Sequence, residues 1–394
     1  MTTTPITAAS PGAVSLGAPT PTDRRGSWVP TLSLITTRMM ELRKRRGLMI
    51  ALVLVNIGIP AIFLIVRLIM HAAAPKSYGR AGGYDIFTGL VAHLMYVFGF
   101  IVAAVVGCSA GSTDLTDGMF RHLVVTGRSR VALYLARIPA GLAIVLPIVL
   151  VGFIFVCAVC TFAAPTKDNF DGVTLPAGLS LTGFEAWAVS HPTTTICDLN
   201  PPGGPGQPPP VNFSVNCPGG YQIGFQKQGA PTQQTPPTPA QLRAGALVFA
   251  KFNYTAYQQT FLKPPAGLMI GAGLWILLEA TIGFIVGLGL GSLIGQRTIA
   301  VVLMIVLEVI LTPLFVANRI PHLINLQRGV VGLAMAHIEP PALPLAFGGG
   351  MNNGGGSRLM QIVPESTDTA IVVIAAWLIV WTVLGCWRMA TRDA

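Results

Sequence analysis

The chain has 394 residues, of which 52% are hydrophobic and only 10% charged, with a mean hydropathy of +0.65. These values exclude an ordinary soluble globular protein. A net charge of +10 raises nucleic acid as a partner, but the placement of the basic residues along the chain speaks against it.

Residues 1–27 are rich in Thr, Pro, Ala and Ser and hold no apolar core of the kind a signal peptide carries. They are expected to form a disordered cytosolic tail. Ser27 to Arg46 then sets Leu32, Leu34, Ile35, Met39, Met40 and Leu42 ahead of the basic run Arg43, Lys44, Arg45 and Arg46. This predicts a helix in the cytosolic interface, apolar side in lipid and cations toward headgroups. A solvated basic leader that only orients the first span is the alternative.

Crossing about 30 Å of hydrocarbon takes roughly 20 apolar residues. Gly47 to Met70, Phe87 to Gly111, Val131 to Ala164, Ala266 to Ile294, Ile299 to Ala317 and Asp368 to Ala390 meet that requirement. The fold class is therefore an all-α polytopic membrane protein. It has six transmembrane helices, an N-terminal interfacial helix and a large extracytoplasmic loop between spans three and four. Residues 28–164 hold the interfacial helix and spans one to three, 165–265 the outer loop, and 266–317 spans four and five. Residues 318–367 form a second outer segment, and 368–394 the last span with a cytosolic C-terminus.

With the N-terminus cytosolic, inner segments carry Arg24, Arg25, Arg38, Arg43, Lys44, Arg45, Arg46, Arg121, Arg128, Arg130, Arg297, Arg388 and Arg392. The short outer loop from His71 to Ile86 carries only Lys76 and Arg80. By the positive-inside rule both termini are cytosolic. The basic excess then serves topology and contact with the lipid bilayer, not nucleic acid. Within the first two spans, Arg67 is read as snorkelling to the interface and His93 as a packed residue.

The connection between spans two and three reads Ser112-Thr-Asp-Leu-Thr-Asp-Gly-Met-Phe-Arg-His-Leu-Val-Val-Thr-Gly-Arg-Ser-Arg130. An acid, a glycine, an apolar and basic helical turn, then Gly-x-Ser-Arg leading into a span resembles the coupling-helix region of ABC-2 membrane subunits, the permeases of type 2 ATP-binding-cassette exporters. Asp114 stands where that family usually has Glu, and Gly118 at its turn glycine. Phe120 and Leu123 match the apolar pair, and Gly127, Ser129 and Arg130 the closing element. Six spans, an interfacial helix and enlarged outer loops extend the resemblance, whereas Met119 in place of Thr and the long outer insert depart from it. The resemblance implies that Phe120 and Leu123 anchor in a groove of a separate ATPase subunit, with Asp114, Asp117, Arg121 and Arg130 on the rim. An ordinary loop whose charges only set topology is the competing reading of the same residues.

No Gly-Lys pair occurs anywhere, so no phosphate loop can cradle a nucleotide here. ATP and Mg are expected on the partner ATPase, and no cofactor on this chain. Six spans are half of an assembled transporter of that family, which implies a homodimer or a paralogous permease partner. Export through the plasma membrane is the implied function.

The outer segment from Pro165 to Pro265 is loop-like at its centre, where Pro201 to Pro210 and Pro231 to Pro239 disfavour regular structure. Cys197 and Cys217 are the two cysteines outside the spans, and a disulfide between them is the favoured reading, with free thiols as the alternative. A metal site lacks further ligands.

In the fourth span Gly283, Gly287, Gly291 and Gly295 recur every four residues, a spacing that lets helix backbones approach within a bilayer or at a dimer seam. Such a row drifts roughly 40° per step in a straight helix, describing a wrapping groove. Glu279 continues the row, and Glu308 lies mid-way along the fifth span. Both are costly in lipid and should face the bundle interior. Depth counted from the cytosolic ends pairs Arg137 with Glu308 and leaves Glu279 to a seam or translocation path. Packing glutamates without a transport role are the alternative. The second outer segment holds an amphipathic stretch from His322 to His337, which either lies on the outer surface or dips beside the last span. No zinc helix, nucleophile elbow or paired-acid constellation occurs, so no catalytic residue is assigned and the chain is not read as an enzyme. An ion-coupled secondary transporter or channel using Glu279 and Glu308 is the rival function.

Overall fold

Leu34, Arg38 and Leu42 recur every four residues and are buried, which gives the first helix, α1 (Leu32–Lys44), one inward face. A computed structural model of the chain describes residues 29–74, 80–116, 129–170, 173–198, 213–217, 222–225, 237–306, 326–340, 343 and 365–391. At Arg45 the backbone leaves the helical region (φ −80°, ψ 74°) and a long apolar helix begins.

Five helices among the described residues are long and apolar enough to cross a membrane: α2 (Arg46–Ala73), α3 (Tyr84–Thr113), α4 (Arg130–Phe162), α8 (Ala266–Ile294) and α11 (Thr367–Thr391). The chain is a multi-pass helical membrane protein. The predicted fifth span is described only over its start, α9 (Arg297–Ile305), and the rest of it lies outside the described residues.

α8 is the hub, packing against α3, α4, α9 and α11. The two peripheral spans behave oppositely: Ile62, Ile65, Leu68 and Ile69 of α2 and Ile371, Val372, Ile379 and Val383 of α11 are exposed on the bundle surface. Apolar faces of this kind suit lipid tails, to which they lose nothing by exposure.

Residues 165–265, the expected outer loop, hold regular structure on either side of their proline-rich stretches. They contain a hairpin, β1 (Lys167–Phe170) with antiparallel β2 (Val173–Pro176), and helices α5 (Leu181–Ser190) and α6 (Pro192–Asp198). A second hairpin follows, β3 (Phe213–Asn216) with β4 (Gln222–Phe225), then the 23-residue helix α7 (Pro239–Phe261). The proline-rich stretches 201–210 and 231–236 lie outside the described residues. α7 starts because Thr238 caps Gln241, Gln241 caps Thr238 in return, and Pro239 occupies the first turn, where its missing N–H costs nothing. Its buried face carries Ala246, Ala250 and Tyr257, which pack on Leu175, Phe184 and Ala188. Cys197 and Cys217 are bonded, with Cα atoms 5.6 Å apart, inside a small cluster with Ile196, Val215 and Phe249. Closing a loop of this size contributes about 3 kcal/mol by loop entropy.

The unit of residues 165–265 joins the bundle at the end where α3 begins and α4 ends. The Gly83 amide donates to the Cys160 carbonyl and the Tyr84 amide to the Leu262 carbonyl. The opposite end gathers α1, the end of α3 and the start of α4, and there Arg130 Nη1 donates to the Ala390 carbonyl of α11 at 3.2 Å. α1 and the end of α11 thus share one face of the bundle.

Candidate functional site

The glycine row of α8 meets α3 of the same chain. A Cβ on Gly283 would lie 2.7 Å from the Phe100 carbonyl oxygen and one on Gly291 2.5 Å from that of Cys108, while one on Gly287 would collide with Ala104. Reciprocally, a Cβ on Gly107 or Gly111 of α3 would strike the carbonyls of Phe284 and Leu288. Of the two settings expected for these three residues, helix packing within the protomer is the one observed. Phe100, Ala104 and Cys108 are also spaced by four, so the two rows drift together and the contact persists over three turns. Gly295 does something else. It closes α8 with φ 72°, the left-handed conformation in which glycine carries no steric cost.

Trp275 extends the contact outward by stacking on Tyr96 with ring centroids 4.5 Å apart. Above this stack sits α10 (Val331–His337), whose Val331 to Met335 are all buried. The Trp275 indole donates to the Met335 carbonyl at 3.0 Å, Tyr96 Oη to the Gly332 carbonyl at 3.3 Å, and the Trp377 indole to the Gly329 carbonyl at 2.8 Å. Trp275 lies nine positions into α8, about 14 Å from its start at 1.5 Å per residue. The short helix therefore reaches well below the outer end of α8. Carbonyls at such depth need donors from protein, since lipid supplies none. Of the two readings left open for His322 to His337, the insertion between spans is the one observed for its described part.

Where α10 ends, His337 Nε2 lies 3.8 Å from Glu365 Oε2, and Oε1 of both Glu339 and Glu365 is buried without a hydrogen-bond partner among the described residues. Burial pushes the Glu339 carboxyl up from 4.5 to about 8. A raised carboxyl binds its proton more tightly folded than unfolded, so its contribution is present below pH 4.5 and is lost as pH rises through 8. Partial exposure screens the effect, and Glu339→Gln is expected to remove about 2 kcal/mol of that pH dependence. Thermal unfolding midpoints between pH 5 and 9 read it directly: the parent protein loses more stability across this range than the variant does.

At the other end, Arg137 is buried, and its Nη1 donates to the Gly111 carbonyl at 3.2 Å. That oxygen also receives the Ser292 hydroxyl of α8, so one carbonyl ties three helices together. Arg38 of α1 is buried as well, with Nη1 2.7 Å from Glu41 Oε2. Glu279 is buried in the middle of α8, at 2% exposure. The proposed partner of Arg137, Glu308, lies outside the described residues.

The predicted coupling residues divide in the same way. Helix continues from α3 through Thr116, so the backbone of Asp114 is helical where a loop was expected. Asp117, Gly118, Phe120, Arg121, Leu123 and Gly127 lie outside the described residues. Arg130 opens α4 beside the end of α11. Arg67 is held more specifically than snorkelling implies, donating Nε and Nη2 to the Arg80 carbonyl. His93 corrects its expectation: it is exposed on the bundle surface, with Nδ1 3.0 Å from the Gly89 carbonyl.

Sequence reading missed Gly107 and Gly111, although Gly107-Cys-Ser-Ala-Gly111 shows the small-residue spacing plainly. It also missed the three aromatic donors around α10, which no local pattern connects. No family model, curated protein or solved structure matches this chain.

Proposed function

We propose that this chain is the permease subunit of an ATP-driven exporter of the ABC-2 class, working with a separate ATPase in the plasma (inner) membrane, both termini cytosolic. The observation that supports this best is the convergence of α1, the end of α3, the start of α4 and the end of α11 on one face. The described helices that flank residues 117–128 end at Thr116 and begin at Arg130 on that face. A load applied there reaches α8 through Gly111, whose carbonyl accepts from both Arg137 and Ser292. In this reading ATP binding closes the partner subunits and the connection transmits the closure, with Phe120 and Leu123 as its apolar anchor.

Co-purification with a phosphate-loop ATPase co-expressed from the same genome tests the reading. Phe120→Asp is expected to lower recovery of the ATPase about tenfold or more, as loss of a buried interface anchor does, with membrane insertion unchanged. Undiminished recovery would reject the coupling role. The buried Glu279 supports one rival, an ion-coupled transporter or channel. Transport by the purified chain alone, abolished by Glu279→Gln, would favour that rival.

A further inference from the structure

A small, open pocket lies at the base of the bundle, lined by Arg38, Arg45 and Arg137 with Glu41 on the same wall. Leu42 and Ala110 give it an apolar side, and Thr113 completes the lining. Three guanidinium groups against one carboxylate leave this lining with a net charge of +2 (3 − 1).

Position decides what such a pocket can take. α2 begins at Arg46, α3 reaches Thr113 and α4 begins at Arg130, so the pocket lies level with the ends of three membrane-crossing helices. That is the depth at which phospholipid phosphates sit, between hydrocarbon and water. Planar guanidinium forks match phosphate oxygens in pairs, which a solvated lysine does not. Two of the three arginines are held firmly: Arg38 is 5% exposed and Arg137 2% exposed. Their side chains are therefore ordered before any ligand arrives, which lowers the cost of binding. Arg45 sits half-buried at the break between α1 and α2, and Leu42 and Ala110 would meet the first carbons of an acyl or glycerol group.

We propose that this pocket binds the phosphate of an anionic membrane lipid, clamping α1 against α3 and α4. The site is independent of the transport function proposed above and of which face is cytosolic. A free phosphate or phosphoester shares the chemistry, and the test separates the two sources.

The full-length protein is reconstituted in nanodiscs of phosphatidylcholine with or without phosphatidylglycerol, extracted, and its retained lipid counted by mass spectrometry. Arg45→Gln is compared with Arg43→Gln, an exposed cation in the last turn of α1 outside the pocket. Arg45→Gln is expected to retain at least about tenfold less phosphatidylglycerol, the loss of a charge-assisted hydrogen bond, and Arg43→Gln no more than about fivefold less, the effect of one exposed cation near the lipid surface. If Arg45→Gln fails to reach the membrane, Arg45→Lys, which keeps the charge and loses the fork, carries the same comparison. In phosphatidylcholine discs, added inorganic phosphate that raises the unfolding midpoint of the parent but not of Arg45→Gln would keep the phosphate site and assign it a soluble ligand. Equal phosphatidylglycerol retention by Arg45→Gln and Arg43→Gln, with no response to phosphate, overturns the proposal.

Discussion

Gly287→Leu is expected to prevent assembly of the bundle, with no compact protein surviving mild detergent. Even the first carbon of the new side chain would overlap the Ala104 backbone, and a backbone cannot rotate out of the way as a side chain can. Ordinary overpacking costs about 1–3 kcal/mol. Here α3 and α8 would also separate along Phe100, Ala104 and Cys108, so a loss above about 3 kcal/mol is expected. Fluorescence-detected size exclusion after detergent extraction should show aggregate in place of a single peak. Gly267→Leu, at a position of the same helix where an added Cβ meets nothing within 4 Å, should behave like the parent. Should the two variants migrate alike, the described contact between α3 and α8 is wrong.

Trp275→Leu is expected to release α10 from its seat. The change removes the stack on Tyr96 and the donor to the Met335 carbonyl together, a loss of about 3–5 kcal/mol for a large buried ring. Trp275→Phe keeps most of the ring and loses the donor, which isolates the cost of an unpaired carbonyl at about 1–3 kcal/mol. Thiol labelling of Met335→Cys, a fully buried position, reports the outcome. Labelling should be fast with Trp275→Leu, intermediate with Trp275→Phe and slow with Trp275 intact. Slow labelling in all three would show that α10 is held by something else.

The spans were legible because hydrocarbon demands an uninterrupted apolar run, and the five described ones begin and end within about three residues of their predicted limits. Small residues at fixed spacing were legible on α8, but the helix they meet was not. That partner is set by tertiary packing, and Gly107 and Gly111 acquire meaning only beside Phe284 and Leu288. α7 carried a visible start signal in Thr238, Pro239 and Gln241, which the surrounding prolines outweighed in the reading. The seat of α10 was beyond reach for a different reason. Its donors Tyr96, Trp275 and Trp377 come from three different spans, and nothing local marks an indole as destined for a distant carbonyl. The same holds for the bond from Arg137 to the Gly111 carbonyl, a backbone oxygen with no side-chain signature at all.

The meshing of α3 with α8 also limits how this protein can change shape. Two helices meshed this closely fit only where a glycine faces a carbonyl, so sliding along each other would bring the side chains beside Gly287 against the backbone of α3. They must travel as a single girder. Any opening of a pathway is then a swing of that girder against the lightly buried α2 and α11, and cross-linking α3 to α8 should leave such motion intact.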